Sequence, residues 1–151
     1  MSEGEQGTGA VTAQADAVPT ADERTLATLA HVLQLVGWFI APLIIFFIKR
    51  DSRFVTFHAL QAVFLQLVYM VVWMGFIVVW FAFIFGTAFG SSKSGPPPPI
   101  FFVLISTAWL FGMTTWLGLL GTAIAYGIKA GKGEWAAYPV LGRWARRVLE
   151  E

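Results

Sequence analysis

Three long stretches of this chain carry no charged side chain, and they constrain the fold more than any other feature. They run from Leu26 to Ile48, from Ala59 to Gly90 and from Ile100 to Ile128. As helices the first two would be about 35 Å and 48 Å long, against a bilayer hydrocarbon core of about 30 Å. Hydrophobic residues make up 57 % of the chain and charged residues 13 %, where a soluble domain has roughly a quarter charged. The expected fold is an all-α integral membrane protein. It has three transmembrane helices, at about 26–48, 59–90 and 100–128, plus a C-terminal amphipathic interfacial helix at about 139–149. Residues 20–151 form the helical membrane domain. Residues 1–19 are acidic, rich in small residues, and read as a disordered tail.

The punctuation between the runs is specific. Thr20 followed by Glu23 fits a capping box at the start of the first helix. Pro42 lies inside the first run and is expected to bend that helix rather than end it. Lys49, Arg50 and Arg53 close it. Between the second and third runs, "SSKSGPPPP" reads as a stiff polyproline spacer. Gly127 and Gly131 end the third run with a GxxxG spacing, which lets helix backbones approach closely in lipid. In the tail, Leu141, Trp144, Ala145, Val148 and Leu149 fall on one side of a helix, with Arg143, Arg146 and Arg147 on the other. That pattern suits anionic lipid headgroups.

Three spans would place the first loop and the C-tail on one side of the membrane. That side then carries eight Lys and Arg residues, and the other carries two, Arg24 and Lys93. The positive-inside bias predicts a multi-pass protein of the cell (plasma) membrane with its N-terminus outside and its C-terminus cytoplasmic.

The second run opens with "FVTFHALQAVFLQ", which keeps hydrogen-bonding groups where hydrocarbon cannot satisfy them. On a helix His58, Gln61, Gln66 and Tyr69 share one arc of about 140°. His31 and Gln34 lie on a similar arc of the first run. Polar side chains in a span face other helices or a wet cavity. They serve either interhelical hydrogen bonding, the preferred reading, or a proton- or solute-accessible path. With three spans His31 and His58 lie toward opposite membrane faces, so no two-histidine metal site is expected within one molecule. A second group, Lys49, Arg50, Arg53, Glu134, Tyr138 and Pro139, falls on one predicted side and is read as a cytoplasmic platform.

Catalysis has little support. No serine sits in a GxSxG setting, no HExxH occurs, no carboxylate lies within a run, and there is no cysteine. No enzyme activity, catalytic residue, cofactor or metal is expected. The partners expected are the lipid bilayer, anionic headgroups at the C-terminal helix, and a second membrane protein or further copies of the chain. Nucleic acid is not expected, because the charges are segregated rather than pooled.

Several pieces occur in a fixed order: Ala30-His31, the exit from Pro42 to Asp51, His58-Ala59 with Gln61-Ala62, Lys132-Gly133-Glu134, and Tyr138-Pro139. In these the chain resembles the family of small prokaryotic membrane proteins of unknown function that is distantly related to the chloroplast inner-envelope import component, the Tic twenty-kilodalton type. The resemblance implies a small helical membrane domain without an established activity. The expected function is a non-enzymatic accessory subunit or scaffold in the membrane. The alternative is an oligomeric channel or protein-translocation component like the chloroplast subunit.

Overall fold

The computed structural model describes residues 18–90 and 99–150. The disorder expected of the N-terminal tail and the polyproline spacer fall largely outside the described residues. Within them the chain forms five α-helices and no strand: α1 Ala21–Gly37, α2 Ile40–Ile48, α3 Arg53–Gly90, α4 Pro99–Gly131 and α5 Leu141–Glu150.

Two helices, α3 with 38 residues and α4 with 33, are long and apolar enough to cross a membrane. Their most apolar eighteen-residue windows are 0 % buried by protein. A core helix of a soluble domain would be covered. Here Val71, Val78, Phe83, Phe102 and Leu110 are exposed, a surface suited to lipid. The two helices meet through Phe76 stacked on Phe111 at 4.0 Å, and through the Trp80 indole N–H, which donates to the Leu104 carbonyl at 3.0 Å.

The first expected span is corrected. Residues 26–48 do not form one helix, and the spans of crossing length number two rather than three. The chain breaks after Gly37, where Trp38 adopts φ 51° and ψ −140°. This conformation is strained for any residue but glycine. It turns the chain so sharply that a Cβ on Gly37 would lie 2.6 Å from the Ala41 Cβ. Pro42 then sits in the first turn of α2, where its missing N–H needs no partner. It helps to begin a second helix rather than bend a continuous one. With 17 and 9 residues, α1 and α2 extend about 25 Å and 14 Å, so neither crosses a 30 Å core.

The two ends of this α1–α2 hairpin meet. The capping box forms as expected: the Glu23 N–H donates to Thr20 Oγ1 at 3.2 Å, and the Thr20 N–H donates to Glu23 Oε2 at 2.8 Å. The other oxygen of Glu23 accepts from the Ser52 hydroxyl at 2.6 Å. Ser52 also accepts from the Val55 N–H at 3.3 Å, so one hydroxyl caps α3 and anchors α1. Arg24 lies against Gly133 beyond the end of α4. The start of α1, the loop before α3 and the end of α4 therefore share one end of the molecule, here called the base. Three spans would put the start of α1 and the first loop at opposite ends; they lie at the same end. Arg24 joins the cations of the 49–53 loop, the end of α4 and α5, so the nine Lys and Arg among the described residues all lie at the base.

The base also holds the core. Ala27 packs with Phe54 and Ala130; Ala30 with Ile45, Val55 and Ala59; Phe57 with Leu60 and Ala145. These contacts explain why α3 begins at Arg53, six residues before the expected span. Gly127 and Gly131 both face Thr28 of α1, whose hydroxyl donates to the Gly127 carbonyl at 3.1 Å. The GxxxG spacing thus serves a contact within the molecule. On α5, Gly142 and Ala145 are buried while Arg143, Arg146 and Arg147 are exposed. The Arg53 guanidinium holds the end of α5 by donating to the Leu149 carbonyl at 3.0 Å.

Three outcomes test this arrangement. In detergent, Gly37→Ala lowers the thermal midpoint, its added methyl costing about 1–3 kcal/mol of overpacking. Trp38→Gly raises it, because relief of the backbone strain is worth about 1 kcal/mol. The hydrogen bond from Ser52, then that from the Thr20 backbone, hold the Glu23 carboxyl below its ordinary value of 4.5. Its contribution to stability is therefore complete above that value and is lost as pH falls through the lower, folded-state value. Acid titration of unfolding shows this component in the natural chain and lacks it in Glu23→Gln.

Candidate functional site

The polar residues of α1 and α3 converge on the segment that follows α4. Residues 134–138 belong to no helix or strand, so regular secondary structure does not satisfy their backbone groups. Side chains from the helices do so instead. The His58 imidazole donates from Nε2 to the Glu134 carbonyl at 3.1 Å. The Gln61 amide donates to the Ala136 carbonyl at 3.2 Å and accepts from the Tyr138 N–H at 2.6 Å. The Tyr126 hydroxyl donates to the Ala137 carbonyl at 3.3 Å. One turn of α3, through His58 and Gln61, thus bonds to alternate residues of this segment, Glu134, Ala136 and Tyr138.

A directed chain of hydrogen bonds follows from that geometry. A backbone carbonyl can only accept, so His58 Nε2 carries hydrogen and its Nδ1, in the neutral ring, is an acceptor. His31 Nε2 lies 3.0 Å from that Nδ1 and must donate to it. His31 Nδ1 is then the acceptor for the Tyr138 hydroxyl at 3.1 Å. Both rings are therefore Nε2–H tautomers, and their orientation is set by the Glu134 carbonyl. His31, His58, Gln34 and Gln61 are all 0 % exposed, and Tyr138 is 4 % exposed. Burial pushes the Tyr138 hydroxyl well above its ordinary value, keeping it a donor.

The expectation that His31 and His58 lie at opposite faces is overturned. The rings are in contact because α1 starts at the base and runs alongside α3, so both histidines lie at the same height. Among the described residues, no three His, Cys, Asp or Glu side chains gather as metal ligands would. Gln66 is buried and donates from its amide to the Gln34 carbonyl at 2.7 Å. The Gln34 side chain is near enough to the Tyr138 hydroxyl to oppose the rise in its pKa, but both amide atoms lie outside hydrogen-bonding geometry. Tyr69 stands apart from the network. It lines a cleft of about 480 Å³ above the tip of α1, with Trp38, Gln66, Met70 and Trp73.

The residues read as a platform do collect at the base, in different roles. Lys49 is half-buried, Arg50 lies over the rings of Phe46 and Phe47, and Arg53 is tied to α5. Glu134 contributes its carbonyl to the network, Tyr138 is buried within it, and Pro139 is exposed. Sequence reasoning placed Glu23 in the capping box and Thr28 on the inward arc of the first run, but missed Ser52 and Tyr126 as partners. Of these two, only Ser52, a serine just ahead of a helix start, carried a local signal.

From residue 22 to residue 145 the sequence matches the model of the magnetosome magnetite crystal formation protein family. The chain belongs to that family. The comparison gives no relationship to the chloroplast import component. No curated protein and no solved structure matches the chain. The part shared with the magnetosome family begins in the first turn of α1 and ends within α5. It therefore takes in every residue of the hydrogen-bond network.

Two glutamine substitutions separate paired from unpaired amides. Gln61→Leu strands the Tyr138 N–H and the Ala136 carbonyl, and should cost about 2 kcal/mol or more. Gln34→Leu removes an amide without partners and leaves stability unchanged or higher. Unfolding in detergent measures both. Nitrogen-15 spectra of the histidine rings should show two neutral Nε2–H tautomers, and an Nδ1–H ring at either position would contradict the directed chain.

Proposed function

We propose that the chain is a non-enzymatic accessory protein of the magnetosome membrane, acting in magnetite crystal formation as a structural element. The family match over residues 22–145 carries this reading. The architecture supports it. The buried polar groups hold the helices and residues 134–138 in place. In this reading α3 and α4 cross the bilayer, while the α1–α2 hairpin enters and leaves through one leaflet. The cationic base faces the cytoplasm, as the positive-inside bias favours. Trp135 and Trp144, both exposed, sit at headgroup level, and the α5 arginines meet anionic headgroups.

The test is complementation in a magnetite-forming bacterium that lacks its own member of the family. The tagged chain should fractionate with crystal-bearing membranes and restore crystal size in electron micrographs, and the network-breaking Gln61→Leu should do neither. Crystals indistinguishable with and without the natural chain would overturn the proposal.

A further inference from the structure

The two ends of the molecule differ in breadth. Beyond the cleft that Trp38 shares with Tyr69, Met70 and Trp73, α3 runs on beside α4, meeting it through Phe76 on Phe111 and Trp80 on Leu104. Below that level α1 and α2 pack on α3, α1 also packs on α4, and α5 lies across the first turns of α3. At a helix diameter of about 10 Å, the narrow end has the cross-section of two helices and the broad end that of four or more. The added helices do not form a soluble cap. Leu29, Val32 and Val36 of α1, and Ile40, Ile44 and Phe47 of α2, are exposed apolar side chains on the outside of the hairpin. Lipid chains are the surroundings that suit them.

The hairpin cannot slide across to even out the two leaflets. Its open ends carry Asp22, Glu23, Arg24, Lys49, Arg50 and Asp51, and the Glu23–Ser52 hydrogen bond ties those ends together. Burying such charges in hydrocarbon is costly. The nine described cations also lie at this end, and an amphipathic helix of the α5 type is itself sensitive to bilayer curvature. We propose that the chain is a one-leaflet wedge, which favours bilayers that are convex on the side of its cationic base. The partner is a curved lipid surface, and the α1–α2 hairpin with α5 is the part that recognises it. The proposal rests on the membrane seat given above and extends it from location to shape preference.

The absence of cysteine from the chain makes the test direct. Full-length protein carrying Lys132→Cys, at the exposed base, is reconstituted into giant vesicles containing anionic lipid. An impermeant dye added outside marks only molecules with the base outward. The same dye enclosed during formation marks only those with the base inward. A narrow membrane tether is then pulled from each vesicle. Base-outward molecules should be enriched roughly twofold or more on the tether relative to the parent vesicle, and base-inward molecules depleted. Equal density on tether and vesicle in both orientations would overturn the wedge while leaving the membrane seat intact. Failure of the protein to float with vesicles would overturn both.

Discussion

Everything at the base depends on how residues 134–138 satisfy their backbone. The chain leaves α4 at Gly131, passes α3 without forming helix or strand, and only then enters α5. A segment without regular secondary structure against apolar helices is tolerable only where protein groups replace water. His58 and Gln61 supply them from one turn of α3, and Tyr126 from α4. This requirement is what keeps a histidine and a glutamine in a run otherwise built for hydrocarbon. It also fixes the tautomers, because a carbonyl at the end of the chain leaves each neutral ring only one role. His31 then ties α1 to the same assembly through His58 and Tyr138.

That tie is possible only because α1 shares its level with the start of α3. A first helix crossing the membrane would have carried His31 away from His58. The turn at Trp38 returns the chain instead, and Ser52 meets Glu23 where the hairpin closes. The polar network and the doubled-back hairpin are thus two views of one constraint. A broad, cationic base and a narrow pair of apolar helices follow from both.

Much of this was legible in the sequence. Length and hydropathy identified α3 and α4, the Thr20–Glu23 spacing identified the cap, and helical arcs showed that the histidines and glutamines face inward. The doubling-back was not legible from hydropathy, because a charge-free run reads the same whether it crosses or returns. The local signal was a pair: Gly37 beside a helix end and Pro42 within the first turn of the next. Read as a bend, Pro42 kept the run continuous, and the histidines then fell at opposite faces. Nor could periodicity show that His58 and Gln61 would bond to residues 76 and 75 positions away. Tyr138-Pro139 stands out in the sequence, but the pairing of Tyr138 with His31 depends on the path of the whole chain.

The most direct test of the account is the side from which the two ends of the hairpin are reached. Single cysteines replace Val18, 83 % exposed ahead of α1, and Asp51, exposed in the loop before α3. Each is treated with an impermeant maleimide in sealed membranes of known orientation. The account predicts that both label from the same side, and that both are protected when the vesicles are inverted. Labelling from opposite sides would mean that residues 21–48 cross the membrane, and would contradict the hairpin on which the rest is built.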